Sequence, residues 1–184
     1  MVKKKILIVE GNTREENSEF TAVGINTHTE SLIESINFYK KDLDISIANP
    51  SSDNNLKNSI DSLDKYDGMI WGGSSLNIYN DTDEIRRQIS FMRECQLKIK
   101  KIFAICWGLQ VAVTVAGGQV KKSDKGAHRG IAHNIKVNNI GSNHKIYLNK
   151  KRQFNSPAFN FDEVVKIPEG ATLLSSNELN NVMG

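Results

Sequence analysis

Short apolar runs alternate with stretches of helical periodicity along the first hundred residues. Lys5 to Val9 contains the unbroken run Ile6-Leu7-Ile8-Val9, the pattern of a strand buried on both faces. Leu32, Ile33, Ile36 and Tyr39 then recur at helical spacing behind Thr29, which takes the N-cap position. Ile45 and Ile47 mark a second strand, ended by Asn49-Pro50, and Leu56, Ile60 and Leu63 a second helix. Gly68-Met69-Ile70-Trp71 reads as a third strand, stopped by Gly72-Gly73. Asp81 or Asp83 caps a third helix through Ile85, Ile89 and Met92, and Ile102 to Ile105 forms a fourth strand. A helix from Leu109 to Val115 follows, closed by Gly117-Gly118.

This βαβαβαβα order predicts an α/β fold with a doubly wound, mostly parallel sheet. Past Gly118 the helical signal stops. Ile131–Val137 and Lys145–Leu148 read as short strands of a smaller antiparallel region. No repeat or linker interrupts the pattern, so residues 1–184 read as a single domain. Ligands of such sheets bind at the carboxyl ends of the strands. The informative loops are therefore Gly11–His28, Gly72–Asn80 and the turn at Cys106.

Composition narrows the class. With 39% hydrophobic and 24% charged residues, 13 Gly and 3 Pro in 184 residues, the chain is neither disordered nor collagen-like. No apolar run approaches the ~20 residues of a membrane span. The basic start Met1–Lys5 precedes an apolar run too short for a signal-peptide core, so a cytoplasmic protein without membrane contact is expected. The net charge of +3 is unevenly distributed: −5 over residues 1–97, +11 over 98–153 and −3 over 154–184. The basic band is either a solvated face or a surface for an acidic partner. A nucleic-acid reading would rest on that band alone, without a recognition motif. The chain carries no Walker A or GxGxxG motif and no zinc-like Cys/His cluster, so no metal and no cofactor are expected.

Two cysteines, Cys95 and Cys106, are too few for a disulfide framework. Cys95 lies among Met92, Gln96 and Leu97 on a helix, and reads as structural. Cys106 directly follows a strand and precedes a helix, within Ala104-Ile105-Cys106-Trp107-Gly108. A sharp strand-to-helix turn exposes a nucleophile at the sheet edge, and small flanking residues relieve crowding. The following backbone N–H points where an oxyanion would form, and the helix N-terminus favours thiolate. A small buried core cysteine is the other reading. Gly72-Gly73-Ser74-Ser75 ends the neighbouring strand, where two glycines let backbone N–H groups approach a ligand.

The segment Phe103-Ala104-Ile105-Cys106-Trp107-Gly108-Leu109-Gln110, with Ala116-Gly117-Gly118-Gln119-Val120 behind it, resembles the class I (triad) glutamine amidotransferases. Trp71-Gly72-Gly73-Ser74 is similar to that family's oxyanion strand. Phe159 to Val164, Ile167-Pro168-Glu169-Gly170-Ala171 and Ser176-Asn177 resemble its later H-x-D-E-V, LP-x-GA and S-N stretches. The resemblance implies a Cys106 thiolate that attacks the glutamine side-chain amide, an oxyanion held by the N–H groups of Gly73 and Trp107, and a glutamyl thioester. It implies substrate contacts from Gly72, Gln110, Asn160 and Asp162. It also implies ammonia passing to a partner, a synthetase domain or subunit. The alternatives are a cysteine hydrolase of γ-glutamyl compounds and a non-catalytic amidotransferase-like protein that binds through its basic band.

Three departures qualify the match. Ala104 replaces the usual Gly before the nucleophile, and Asn160 stands where many members carry His. The family's general base, a His in a late His-Pro-Glu element, has no counterpart within residues 1–184, whose sequence ends at Val182-Met183-Gly184. His28, His128, His133 and His144 do not match that position and read as surface or structural residues. The 184 residues alone are therefore expected to be a poor glutaminase, with the last strands of the sheet unmade. Ammonia or glutamate release, compared with that of a C-terminally extended chain, tests this. Equal, Cys106-dependent turnover by both would overturn it.

Overall fold

A computed structural model describes residues 3–53 and 55–184; Met1 and Val2 of the basic start lie outside the described residues. The chain divides into two compact units, Met1–Val115 and Ala116–Gly184. In the first, β1 (Lys4–Val9), β2 (Leu43–Ala48), β3 (Gly68–Trp71) and β4 (Ile102–Ala104) form a parallel sheet in the order β2-β1-β3-β4. This is the flavodoxin-like arrangement of a doubly wound sheet. The register pairs Val9 with both Ala48 and Trp71, and Trp71 with Ala104. All four strands thus end in one row, and the loops after them share one edge.

The helices of this unit are α1 (Arg14–Ala22), α2 (His28–Tyr39), α3 (Lys57–Asp61), α4 (Asp83–Lys98) and α5 (Trp107–Val115). Leu7, Ile8 and Val9 of β1 are buried with Met69 and Trp71 of β3, and the buried face of α4 is Ile85, Gln88, Phe91, Met92 and Cys95. The spacing of that face is helical, and Gln88 is its one polar member. Trp71 meets Phe91 edge-on, with ring centroids 6.1 Å apart.

Three expectations are corrected here. The long loop Gly11–His28 contains α1, because Thr13 and Glu16 form a capping box: the Glu16 N–H donates to Thr13 Oγ1 and the Thr13 N–H to Glu16 Oε2. The next helix is capped by Thr27 rather than Thr29, again because a glutamate three residues on, Glu30, closes the box. The N-cap position of α4 is taken by Thr82 rather than by Asp81 or Asp83, both of which are ion-paired with Arg86.

In the second unit, β5 (Gln119–Lys122) pairs antiparallel with β8 (Asp162–Lys166), and β6 (His128–Val137) lies between β7 (Gln153–Asn160) and β9 (Ser175–Ser176). Val120, Ala132, Ile135, Val137 and Val164 are its buried apolar residues. Lys145–Leu148, expected as a strand, is instead a 3-10 turn over Lys145–Tyr147. It follows the short helix α6 (Asn139–Ser142), and His144 caps it through its ring Nδ1, which accepts the Ile146 N–H. Among the described residues no helix is long and apolar enough to cross a membrane.

Candidate active site

Cys106 occupies the turn between β4 and α5, is exposed, and has φ +53°. A side chain in this left-handed region costs roughly 1–2 kcal/mol. The other described non-glycine residues with positive φ are Asn134 and Asn149, the residue type that tolerates it best. Cys106 is therefore held where its own chemistry does not favour it, by the residues on either side. The Ile105 N–H donates to the Trp71 carbonyl at 2.8 Å, and the Gly108 N–H to the carbonyls of Gly72 at 3.1 Å and Ile105 at 3.0 Å. Gly108 must be glycine: a β-carbon there would lie 2.5 Å from the Trp71 carbonyl oxygen and 2.9 Å from Trp71 Cβ.

Beneath this turn runs a buried polar layer built from the loop after β1. The Gly11 carbonyl accepts from Gln88 Nε2 at 3.0 Å, and Gln88 Oε1 accepts from Trp107 Nε1 at 2.7 Å. The Asn12 N–H donates to Glu10 Oε1, Asn12 Oδ1 accepts the Ser75 N–H at 3.1 Å, and Ser51 Oγ donates to the Asn12 carbonyl at 2.6 Å. Ser75 Oγ also meets Glu16 Oε1, tying the segment after Gly73 to α1. Asn12, Ser51 and Gln88 are fully buried, and their bonds offset the cost of placing amides and a hydroxyl inside the protein.

The residues singled out in the sequence fall into both units. Cys106, Gly72, Gly73, Trp107 and Gln110 lie in the first. Trp107 opens α5, where a helical N–H has no acceptor within its own helix. Gln110, one turn on, is buried, and its Oε1 accepts no hydrogen bond among the described residues. Asn160 and Asp162 lie in the second unit, where Asn160 Nδ2 donates to the Asp162 carbonyl and Asn160 Oδ1 meets His128 Nδ1 at 3.2 Å. Asn177 Nδ2 contacts His128 Nε2 at 3.0 Å. An amide nitrogen only donates, so Nε2 accepts and the proton sits on Nδ1, facing Asn160. His128 is thereby committed to two asparagines within its own unit.

His28, the first residue of α2, lies beside Gly73, with its Nδ1 3.5 Å from the position of a β-carbon there and its ring 5.5 Å from that of Phe20. Gln88 and Asn12 escaped the sequence reading. The signal for Gln88 was present, a polar residue three after Ile85 and four before Met92 on an otherwise apolar face. Cys95 is buried on α4, and desolvation, reinforced by neighbouring Glu94, pushes its thiol up to about 12. Among the described residues no three His, Cys, Asp or Glu side chains gather as a metal site.

The family model for glutamine amidotransferase class-I matches residues 25–184. A Pseudomonas sp. protein named gamma-glutamyl-L-1-hydroxyisopropylamide hydrolase is 30% identical over 183 residues, 96% of this chain and 60% of that protein. A Sulfolobus acidocaldarius protein, named as one subunit of a glutamine-hydrolyzing GMP synthase, is 27% identical over 120 residues, 65% of this chain and 60% of its own. The chain thus spans less than two thirds of either relative. The crystal structure of a glutamine amidotransferase from Thermotoga maritima superposes with a TM-score of 0.75 at 14% identity, covering 99% of this chain and 70% of that one, a likeness of fold alone. Because the family model takes in residues 25–184, the chain belongs to the class-I glutamine amidotransferases.

Proposed function

We propose that the chain hydrolyses γ-glutamyl amides, glutamine among them, with Cys106 as nucleophile. The observation that carries the reading is Cys106 at φ +53° between β4 and α5, with the Gly108 N–H bonded to the Gly72 carbonyl just past the end of β3. The Sγ thiolate attacks the γ-carbonyl carbon, and the carbonyl oxygen takes the negative charge between the N–H groups of Gly73 and Trp107. The C–N bond breaks as the nitrogen takes up, through solvent water, the proton that the Cys106 thiol gave up, so that the amine or ammonia leaves neutral and a γ-glutamyl thioester remains. Water then adds to the thioester carbonyl, releasing glutamate and the thiol. Gln110, with a buried acceptor oxygen, suits an N–H of the substrate, and Gly72, Asn160 and Asp162 remain substrate-binding candidates.

Labelling by a glutamine-analogue electrophile, read by peptide mass spectrometry, tests the nucleophile. The label is expected on Cys106. Cys95, with a thiol pushed up to about 12, is roughly one-thousandth ionised at pH 9 and should stay unmodified. Label on Cys95 instead, or on neither cysteine, overturns the reading.

A second reading concerns the fate of the amine. The relative named for GMP synthase favours glutamine as substrate and ammonia passed to a synthetase partner. The relative named as a γ-glutamyl amide hydrolase favours release of the amine to water. Comparing turnover of glutamine with that of a γ-glutamyl alkylamide separates them. Preference for the alkylamide excludes the transfer reading.

A further inference from the structure

We infer that Gln88 is a positioning residue that sets the spacing between the two backbone N–H groups assigned to the oxyanion; this rests on the reading of Cys106 given above. Gln88 sits in the apolar face of α4, between Ile85 and Phe91, and is fully buried. A buried amide there is tolerated only with its hydrogen bonds made. Both partners are one-sided: the Trp107 indole can only donate and the Gly11 carbonyl can only accept. The amide is thereby fixed in one orientation, Oε1 toward Trp107 at 2.7 Å and Nε2 toward Gly11 at 3.0 Å.

Each partner leads to one of the two oxyanion donors. Trp107 carries one donor on its own backbone, and its ring is fully enclosed, so Gln88 fixes the rotation of the residue that opens α5. Gly11 leads to the other. A β-carbon on Gly11 would lie 2.8 Å from the Gly73 carbonyl oxygen and 2.8 Å from Trp107 Cδ1, so the Gly11 backbone fills the space between the two. The following residue, Asn12, holds the Ser75 N–H at 3.1 Å and so anchors the chain just past Gly73. Gln88 draws the Gly11 loop and the Trp107 ring to one point. Loss of either bond lets Gly73 and Trp107 shift relative to each other. Such a shift weakens an oxyanion site because its donors must already be aimed when charge develops.

The test compares two reactions of one thiol. Acylation of Cys106 by γ-glutamyl-p-nitroanilide passes through an oxyanion and releases p-nitroaniline; alkylation by iodoacetamide displaces iodide and forms none. Single-turnover acylation by Gln88→Leu is expected to fall by about 10–100-fold, less than the full loss of a donor. Its half-saturating substrate concentration should be little changed, and its alkylation rate should stay within about twofold. Gln88→Glu retains an acceptor for Trp107 but turns a carboxylate oxygen on the Gly11 carbonyl, and should fall between Gln88→Leu and the parent. Trp107→Phe keeps the backbone donor and removes the indole bond. Added to Gln88→Leu it should cost far less than it does alone.

Equal losses in acylation and alkylation would overturn the proposal in favour of a merely structural residue, as would unchanged acylation in both Gln88 variants. Failure of the underlying reading looks different: Cys106→Ala would release p-nitroaniline as fast as the parent.

Discussion

Cys106→Ser is expected to lower hydrolysis of γ-glutamyl amides by at least about 100-fold; triad members act as a unit, so the cost of losing the thiolate is greatest where a general base is also at work. The same position should show a gain in stability when its side chain is removed altogether. At φ +53° every residue with a β-carbon crowds the following carbonyl oxygen, and glycine does not. Glycine also adds freedom to the unfolded chain, which returns part of the gain. The balance favours Cys106→Gly over Cys106→Ala by about 1 kcal/mol, roughly 2–4 °C in melting temperature for a chain of this size. Both variants should be inactive. Thermal melting of the pair, beside turnover of the parent and Cys106→Ser, checks both parts. If Cys106→Gly melts below Cys106→Ala, the turn is not strained at this residue. If Cys106→Ser keeps parental turnover, the nucleophile lies elsewhere. Opposite signs for stability and activity at one position are the mark of strain kept for function.

The layout of that turn was legible because strands buried on both faces announce themselves. Ile6 to Val9 and Gly68 to Trp71 are short apolar runs bounded by polar or glycine residues, and they became β1 and β3. Once their order implies a parallel sheet, the carboxyl ends must share an edge, and Gly72 and Cys106 follow. Elements that depend on side chains closing on nearby backbone were harder to see. Thr13-Arg14-Glu15-Glu16 heads a helix with no buried residue, so no apolar period reveals α1, only its capping box does. Thr27 and Thr29 both precede the same periodic stretch, and the choice depends on which has a glutamate three residues on. Lys145–Leu148 failed for a related reason. Its apolar residues Ile146 and Leu148 alternate as a strand's would, but both are exposed and the His144 ring winds the backbone into a turn.

The site itself divided along the same line. Backbone-borne features, the glycines and the strand-to-helix cysteine, carry a local signature. Gln88 acts across 77 residues to Gly11 and 19 to Trp107, and no local pattern records such a pairing. What the sequence does show is an amide where an apolar residue is due, a sign that something buried requires it.

Gly108→Ala is expected to be the most damaging single methyl group that can be added at the candidate site. The new β-carbon would sit 2.5 Å from the Trp71 carbonyl oxygen, 2.9 Å from Trp71 Cβ and 3.1 Å from the Trp71 carbonyl carbon. None of these is the far end of a flexible side chain. Trp71 is fully buried, packed against Phe91, and its carbonyl is engaged by the Ile105 N–H at 2.8 Å. Relief must therefore come from moving α5 away from β3. That movement stretches the bond from the Gly108 N–H to the Gly72 carbonyl and carries Cys106 and Trp107 with it. Overpacking of this kind costs about 2–3 kcal/mol. For a chain of this size the melting temperature should fall by about 5–10 °C. A displacement near 1 Å between the proposed nucleophile and its oxyanion donors should also cut γ-glutamyl amide turnover by about 100-fold. Melting and turnover of Gly108→Ala measure the two effects separately. Parental values for both would mean that α5 and β3 are not in contact at this residue. A stability loss with parental turnover would mean that the Gly72–Gly108 bond does not govern the placement of Cys106.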